Sequence, residues 1–475
     1  MEKKKTSLKN IKSGAFARGL SLAKLTLNMG AQAATHAVGG LLSSAEKNEG
    51  RLRQLLASQA ELLVNEFGRL KGTVMKAGQS LSVMGEYFLP PEVNRVLKTL
   101  QSDSPPVEWS EMAKILRKRL PPETLAQLEI DPEPVAAASL GQVHRATVKA
   151  TGETLALKIQ YPGVDKSIDS DLNSIRSILS MTKFLSDSTR IDQLFTEVRT
   201  MLKQETNYEI EASLTQEYAS RLASAPGADR FVVPKLFPQF SGKKLLATSF
   251  EHGVAIDSPE VNALSADRRN ALGEAFLDLY FREFLSWGMV QTDPHFGNYR
   301  VRLGQGPAGT PGGDQIVLFD FGAVRKFEPA FIAAYKKLIR GCEAYDLGRI
   351  VEGAAEIGFL RPDDPEETRV LFAEVCTLIM EGFFDPAPES KDARVFREAG
   401  LSREYFNPQT GRYRWGKSDL PKRVATKGPK LVMAFRLRPP PPEIVFLDRK
   451  LGGVFIFLSK LDCELPARKL LDQYL

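Results

Sequence analysis

Two short loops carry residues of the types that phosphoryl transfer uses. Asp293 and Asn298 lie five residues apart in QTDPHFGN, and Asp320 begins an Asp-Phe-Gly after the apolar run QIVLF. This reaction needs Mg²⁺ ligands and a group that orients the attacking atom. The pattern predicts that Asp320 and Asn298 bind Mg²⁺ and that Asp293 orients the nucleophile. The usual His-Arg of a kinase loop is Gln291-Thr292 here, so an active site, a degraded copy and a chance match are all hypotheses.

A cation for the phosphates is available in the stretch ETLALKIQ. Its apolar and polar residues alternate, which predicts a β-strand with Leu155, Leu157 and Ile159 on one face. Ala156 and Lys158 then share the other face, where Ala156 would pack against the flat base of ATP and Lys158 would contact the phosphates. The alternative is an edge-strand lysine that keeps its charge in water.

The loop before this strand would cover the phosphates, but it is rich in alanine where such loops normally use glycine. Alanine lets a phosphate approach and restricts positive φ, so this loop should be stiffer than a glycine-rich one. The alternative is the start of a strand that binds no ligand. The predicted cofactor-binding residues are Ala136, Ala137, Ala138 and Ser139, and the single glycine is Gly141.

Two further features belong to the predicted ATP site. The segment TSFEHG at a strand exit is expected to offer backbone groups to adenine around Phe250 and Glu251. Lys158 also needs an acidic partner, and periodicity alone does not choose among the glutamates of the helix that should provide it. The candidates are Glu205, Glu209, Glu211 and Glu217.

A separate helix carries Lys76 and Gln79 three residues apart, hence on one face, with Gly78 between them. Glycine inside a helix costs roughly 1 kcal/mol relative to alanine, so Gly78 indicates close approach by a backbone or a ligand. Taken alone, the pattern favours a solvated basic face with an incidental glycine.

The order of elements predicts an α+β, two-lobed protein-kinase-like fold with an N-terminal helical extension that carries the Lys76 motif. Residues 45–125 have helical spacing, 126–250 contain a β-hairpin, a helical insertion and two further strands at 231–238 and 243–253, and the remainder is mainly helical. The predicted domains are therefore a basic segment (1–44), a helical extension (45–125), a small lobe (126–250) and a larger lobe (251–475).

Composition limits the classes of protein that fit. The three cysteines of the 475-residue chain are scattered, which fits a reducing compartment and neither a disulfide framework nor a metal cluster. A net charge of +6 is modest for this length and does not argue for nucleic-acid binding. Seven Lys/Arg against one Glu in the first 25 residues fit either a solvated tail or an amphipathic segment on anionic lipid.

No secretory signal and no apolar run long enough to cross a bilayer is evident in the sequence. We therefore expect a protein on the cytoplasmic side, either soluble or peripherally attached to an anionic membrane through its N-terminal basic segment.

These motifs resemble those of the UbiB/AarF family of atypical kinases linked to coenzyme Q metabolism, and the resemblance runs from about residue 60 to the C terminus. KAGQ resembles the family's Lys-x-Gly-Gln signature, AAASLGQVH its alanine-rich loop and ALKIQYPGV its lysine strand. ETNYEIEA resembles its Glu-x-Asp-Tyr-x-x-Glu-Ala element, and QTDPHFGN and DFGA its catalytic and metal loops. RKLGGVFIFLSKL is similar to the animal and fungal coenzyme-Q branch.

The resemblance implies ATP and Mg²⁺ as cofactors and a small lipid or quinone-precursor substrate. It selects Glu211 as the partner of Lys158 and Glu205 as an auxiliary acid, and it adds Lys76 and Gln79 to the catalytic site, in helices that block the groove for a protein substrate. One departure is Asn207, which stands where the family has an aspartate.

The resemblance and the motifs together predict an ATP-dependent kinase or ATPase that supports ubiquinone biosynthesis at a membrane. The missing long activation segment after Asp320 independently disfavours a peptide-docking platform. The alternatives are a conventional Ser/Thr protein kinase and a non-catalytic scaffold that binds nucleotide.

Overall fold

The computed structural model describes residues 73–84, 106–181, 188–434 and 440–475. The predicted basic segment at the N terminus lies outside the described residues, as does most of the predicted helical extension. Among the described residues, no helix is both long enough and apolar enough to cross a lipid bilayer.

The described chain divides into two compact units. The first contains the described residues up to Ser213 together with Lys235–Phe250, and the second contains Leu214–Pro234 and Glu251–Leu475. The domain boundaries given above for the sequence stay a prediction.

Helices make up most of both units. In chain order they are α1 (Thr73–Met84), α2 (Trp109–Arg119), α3 (Pro122–Leu125), α4 (Val164–Met181), α5 (Ser188–Glu205), α6 (Tyr208–Ala223), α7 (Pro259–Asn262), α8 (Ala266–Phe281), α9 (Pro329–Ala344), α10 (Leu347–Glu356), α11 (Glu366–Ile379), α12 (Ala393–Glu398), α13 (Leu420–Ala434), α14 (Pro442–Lys460) and α15 (Ala467–Leu471). One π-helical turn, Arg282–Ser286, continues α8.

The strands are short, and most of them occur in antiparallel pairs. They are β1 (Leu128–Ala137), β2 (Gly141–Val148), β3 (Thr154–Gln160), β4 (Phe231–Val232), β5 (Leu245–Ser249), β6 (Met289–Gln291), β7 (Tyr299–Arg302), β8 (Gln315–Leu318), β9 (Val324–Lys326), β10 (Tyr413–Arg414) and β11 (Glu464–Leu465).

The first unit contains a four-stranded antiparallel sheet in the order β1-β2-β3-β5. The predicted hairpin is confirmed as β2 and β3. Leu155, Leu157 and Ile159 are completely buried, whereas Lys158 keeps a partly exposed side chain on the opposite face, as the alternation predicts. In β1 the register shifts at Pro134, and proline is tolerated there because β1 is an edge strand.

The second unit is built mainly around α8 and α14. Phe276 of α8 stacks on Phe457 of α14 with ring centroids 3.6 Å apart. The apolar side chains that anchor α8 and the turn after it, ahead of the catalytic loop, are buried: Leu272, Phe276, Leu279, Tyr280 and Phe284.

Two antiparallel pairings place the loops of this unit side by side. Strand β7 pairs with β8, and β6 pairs with β9, where Gln291 lies opposite Val324. A helix begins at Pro329, soon after the Asp-Phe-Gly, which agrees with the short segment expected after Asp320. The strand predicted over 231–238 is wrong in extent, because only Phe231–Val232 is a strand, paired in parallel with β8.

Candidate active site

Lys158 forms a two-pronged contact with Glu211 in the first unit. Its Nζ donates to Oε1 at 2.7 Å and to Oε2 at 2.9 Å. The edge-strand alternative is wrong, because β3 has a neighbour on each side, with Lys158 opposite Val143 and Leu246. Glu211 is almost buried, with 5% of its side chain exposed, while Lys158 keeps 25%. The carboxylate therefore orients a lysine whose side chain is still partly exposed.

The start of α6 fixes where Glu211 lies. Asn207 immediately precedes this helix, and its Oδ1 accepts a hydrogen bond from the backbone N–H of Glu209 at 3.2 Å. Gln160 of β3 donates through Nε2 to the carbonyl of Thr206 at 2.7 Å, which ties the helix start to the lysine strand. Asparagine and aspartate cap helices about equally well. The departure from the family motif at Asn207 therefore preserves this capping contact.

Lys76 pairs with Glu205 in the same unit, with Nζ and Oε2 3.1 Å apart and both side chains largely covered. This pair removes the alternative of a solvated basic face at Lys76. Gln79 lies one turn along α1, and within the described residues no hydrogen bond joins its side chain to another side chain. The structure therefore brings Lys76 to the acid that the resemblance selects and leaves Gln79 without a comparable contact there.

The alanine-rich stretch is only partly a loop. Ala136 and Ala137 belong to β1 and pair with Val143 and Gln142, so the loop prediction is wrong for these two because the antiparallel ladder extends through them. Ala138 and Ser139 lie in the turn that follows, where the N–H of Ala138 donates to the Gly141 carbonyl at 2.8 Å.

Gly141 has a packing reason. A Cβ at this position would lie 2.4 Å from the carbonyl oxygen of Ile159. The single glycine of the stretch therefore allows β2 to approach β3, and its presence does not by itself indicate a phosphate.

The backbone N–H of Phe250, directly after β5, forms a hydrogen bond with the neighbouring strand β3. The N–H of Phe250 donates to the carbonyl of Thr154 at 2.9 Å, so this N–H is not offered to a base. In the second unit, Glu251 forms an ion pair with Arg302. Ala156 is half-buried opposite Thr248 in β5.

Asp293 in the second unit has both carboxylate oxygens held. Oδ1 accepts from Nη2 of Arg449 at 2.7 Å, and Oδ2 accepts from Nδ2 of Asn298 at 3.2 Å. Asn298 also donates to the backbone carbonyl of Asp293 at 3.1 Å. Because its amide N–H groups face Asp293, the amide oxygen of Asn298 is directed elsewhere and remains a suitable hard-cation ligand.

Gln291 and Thr292, which replace the usual His-Arg, both bind the loop that contains Asp320. Nε2 of Gln291 donates to the Asp320 carbonyl at 3.2 Å, and Oγ1 of Thr292 donates to the Ala323 carbonyl at 2.7 Å. Asp320 has a left-handed backbone with φ +58°, and its Oδ1 accepts from the N–H of Gly322 at 3.1 Å. Such a conformation is uncommon for a residue other than glycine and recurs at functional sites.

A buried polar cluster lies behind the catalytic loop. Lys450 and Glu283 form an ion pair at 3.0 Å, and each keeps only 1% of its side chain exposed. Lys450 also donates to the hydroxyl of Tyr299 at 3.1 Å, which donates to Oε1 of Gln291 at 3.0 Å. Burial raises the pKa of Tyr299 to about 12, so this hydroxyl keeps its proton. The cluster thus links α14 to the residue that precedes the catalytic segment.

The residues present fit Mg²⁺ bound together with a triphosphate. Within the described residues, no three or more His, Cys, Asp or Glu side chains form a metal site by themselves. Mg²⁺ commonly takes one or two carboxylates and completes its shell with phosphate oxygens and water. In the second unit, Asp320 and the amide oxygen of Asn298, beside Asp293, match that set. Within the first unit, Lys158 is a residue of the type that contacts phosphates.

Two features are typical of the protein-kinase-like class of phosphotransferases. One is a lysine oriented by a glutamate on a helix, and the other is a catalytic-loop aspartate followed along the chain by a strand that ends in Asp-Phe-Gly. The model of the family described as "ABC1 atypical kinase-like domain" matches residues 99–354. The chain therefore belongs to the ABC1 atypical kinase-like family and is an atypical kinase-type enzyme. This confirms the resemblance drawn from the motifs, and membership implies ATP binding.

Several known proteins are similar over most of the chain. The "Probable serine/threonine-protein kinase abkA" of Dictyostelium discoideum is 28% identical over 88% of this chain and 70% of its own length. The "Atypical kinase COQ8, mitochondrial" of Saccharomyces cerevisiae is 28% identical over 99% and 87%.

A solved structure titled as the complex of Rv3197 with erythromycin, from Mycobacterium tuberculosis, matches with a TM-score of 0.52 and 22% identity over 91% of this chain and 98% of that chain. This likeness shows the fold alone, and with the family match it confirms the kinase-like α+β architecture.

Sequence reasoning missed the residues of α14 and of the buried cluster. The motif RKLGGVFIFLSKL supports only the family resemblance, and the sequence predicts no role for its first two residues. The one available signal was a pair of glycines inside an apolar helix. The missed residues that contact the catalytic loop or support it are Thr292, Glu283, Tyr299, Arg449 and Lys450.

Proposed function

We propose that this protein is an ATP- and Mg²⁺-dependent atypical kinase or ATPase that supports ubiquinone (isoprenoid quinone) biosynthesis by acting on or near a small lipid at a membrane. The observation that carries the proposal is the hydrogen-bonded set in which Gln291 joins the Asp320 loop to the Asp293 loop. The relative named as an atypical kinase COQ8 supports the same class, and the link to coenzyme Q rests on the UbiB/AarF resemblance.

Mg²⁺-bound ATP would supply the γ-phosphoryl group that is transferred. In the proposed roles, Asp320 and the amide oxygen of Asn298 hold the metal. Asp293 orients the attacking oxygen, from water or from a small substrate hydroxyl, because its carboxylate is fixed in direction by two hydrogen bonds.

Most nucleotide contacts of the proposal come from residues of the first unit, and Glu251 belongs to the second unit. Lys158 binds the α- and β-phosphates with its ammonium group held in place by Glu211. Ala156 lies on the same face of β3 and leaves room for the base. The predicted contacts of adenine with the backbone near Phe250 and Glu251 are part of the proposal, through groups other than the N–H of Phe250.

A conventional Ser/Thr protein kinase is the second candidate, since the Dictyostelium relative carries that name. The short span between Asp320 and the start of α9 at Pro329 opposes it, because few residues remain for a peptide-docking segment. Phosphorylation of generic protein substrates by the Lys76→Ala variant would favour this candidate.

The experiment is ATP turnover by the purified protein, with and without anionic liposomes and a quinone-precursor phenol, compared with Asp320→Asn. The exposed Asp363 of the same unit provides the matched control Asp363→Asn. We expect Asp320→Asn to abolish Mg²⁺-dependent turnover and the control to retain it. Turnover that does not depend on Asp320 would contradict the enzyme mechanism.

A non-catalytic scaffold makes a different prediction. It would bind Mg-ATP and show the same residual turnover in the wild type and in Asp293→Asn. If the folded wild-type protein behaves in this way, the kinase proposal is wrong and the protein acts as a nucleotide-binding switch.

A further inference from the structure

One face of α14 contacts the catalytic loop and the strand β9 that follows the Asp-Phe-Gly in the second unit. Arg449 donates to Asp293 at 2.7 Å across a separation of 156 residues. Four residues further along α14, a Cβ at Gly453 would lie 2.1 Å from the Cβ of Pro294. Three residues before Arg449, the ring of Phe446 lies under the Arg325 guanidinium at 3.6 Å, just beyond the Asp-Phe-Gly. Spacings of three and four residues put these positions on one helix face.

Helix α14 is anchored in the protein interior by the residue next to Arg449. Lys450 is almost completely buried and is fixed by Glu283 and the hydroxyl of Tyr299. Its neighbour Arg449 keeps 26% of its side chain exposed, next to an Asp293 that keeps 15%. Arginine stays protonated throughout the working pH range. The charge beside Asp293 is therefore permanent, and its position is set by a buried anchor one residue away.

Gly453 indicates that this approach matters. Glycine in the middle of a helix costs about 1 kcal/mol relative to alanine, and here any Cβ would strike the catalytic loop. Gly452, its neighbour, has no described atom within 4 Å of a built Cβ, and no contact among the described residues explains it.

The catalytic loop itself contains no arginine that could position Asp293. Many kinases order their catalytic centre when a phosphorylated activation loop pairs with arginines. The residue before Asp293 is Thr292, whose hydroxyl is already donated to the Ala323 carbonyl. A phosphate therefore has no arginine to bind next to Asp293 in this loop.

We propose that α14 holds the catalytic loop in its working geometry without a phosphorylated segment, and that Arg449 is the positioning residue of Asp293. This inference rests on the proposed function of Asp293. With Oδ1 bound to Arg449 and Oδ2 bound to Asn298, the plane of the carboxylate is fixed, and the attacking oxygen meets it in one orientation. Arg449 acts through Asp293 and binds no product or substrate in this scheme.

The test compares Arg449→Ala, Arg449→Lys and the wild type in kcat and in Kd for Mg-ATP. Misplacing a catalytic group by about 1 Å typically costs about 100-fold in rate. We expect kcat of Arg449→Ala to fall by about that factor, with the ATP Kd nearly unchanged. Arg449→Lys should recover part of the rate because it restores the charge without the planar fork.

Chemical rescue separates positioning from a loss of folding. Added guanidinium at millimolar concentration should restore turnover to Arg449→Ala, whereas sodium chloride of equal ionic strength should not. The matched control is Arg394→Ala, which removes an exposed arginine paired with Glu398 in the same unit. Its turnover should equal that of the wild type and should not respond to guanidinium.

A second variant tests α14 from its other contact. Gly453→Ala keeps Arg449 and pushes against Pro294, so we expect kcat to fall without rescue by guanidinium. A folded Arg449→Ala protein with unchanged or increased kcat would overturn the inference, as would a reduced kcat that guanidinium fails to restore. Wild-type turnover that does not depend on Asp320 would overturn the proposed function as well. If turnover does depend on Asp320, a failure of the Arg449 variants counts against the positioning role alone.

Discussion

Gln291 joins Asp320 to the catalytic loop through a single side-chain amide. Its Nε2 donates to the Asp320 carbonyl at 3.2 Å, while its Oε1 accepts from the N–H of Asp293 at 3.1 Å. The side chain is buried, with only 4% of the residue exposed. The glutamine that stands where a kinase usually has histidine therefore connects the two loops, and its presence does not indicate decay of the site.

Gln291→Glu tests this connection because the two side chains have the same shape. The variant loses the N–H donor and sets a negative charge against the Asp320 carbonyl. We expect turnover to fall by at least tenfold, together with a stability loss of about 1–3 kcal/mol from the unsatisfied carbonyl. The measurements are kcat and the urea midpoint, with the exposed Gln409→Glu of the same unit as control. Wild-type kcat in Gln291→Glu would contradict the role.

The Lys158–Glu211 pair should behave as one unit in turnover. Lys158→Met and Glu211→Gln should each remove most of the activity, and the double variant should be little worse than either single one. A double-mutant cycle on kcat/KM for ATP measures this coupling. The control cycle uses Lys235 and Glu153, an exposed pair 3.2 Å apart in the first unit, whose coupling should be near zero. Additive losses at Lys158 and Glu211 would mean that the carboxylate does not orient the lysine.

The sequence predicts those parts of the site that depend on local pattern. Alternation in β3 gives the face of Lys158, because three apolar neighbours are forced into the core. The spacing of Asp293 and Asn298 predicts one loop, and the structure joins them by two hydrogen bonds. Their roles in catalysis stay predictions.

Other parts depend on contacts that no local pattern encodes. Periodicity leaves several glutamates open, and the choice of Glu211 depends on where α6 begins, which the cap at Asn207 and the contact between Gln160 and Thr206 fix. Arg449 is 156 residues from Asp293. Because most residues of α14 are apolar, the hydrophobic pattern predicts a buried helix and does not predict its charged contact with the catalytic loop.

Breaking the buried pair of Lys450 and Glu283 should strongly destabilise the second unit. Glu283→Gln leaves the buried Lys450 ammonium without its counter-ion, and removing one partner of such a pair costs about 3–5 kcal/mol. Replacing both, as in Lys450→Met with Glu283→Gln, should recover much of that loss.

The measurement is urea unfolding at neutral pH. The control is Lys337→Met, which removes the cation of two surface ion pairs, with Glu352 and Glu356, and should cost about 1 kcal/mol or less. A Glu283→Gln variant as stable as the wild type would show that the pair does not support the fold.

His144 should make the first unit sensitive to mild acid. The ring is buried between two partners: Nδ1–H donates to the Asp131 carbonyl at 2.8 Å, and Nε2 accepts from Nε2 of Gln142 at 2.7 Å. A proton added to Nε2 would set two donors against each other. Burial lowers the pKa of His144 below its ordinary value, despite the opposing contact with Asp131.

The sign of the pH effect follows from that direction. Below about pH 6.5, the ordinary histidine value, the unfolded chain takes up a proton that folded His144 resists. Stability from this group is therefore present above that pH and is lost as pH falls towards the folded pKa, by at most about 1.4 kcal/mol per pH unit. Urea midpoints followed by circular dichroism from pH 7 to pH 5 should fall in the wild type and less steeply in His144→Asn. The exposed His252→Asn should keep the wild-type slope, and equal slopes in all three proteins would rule out His144 as the source.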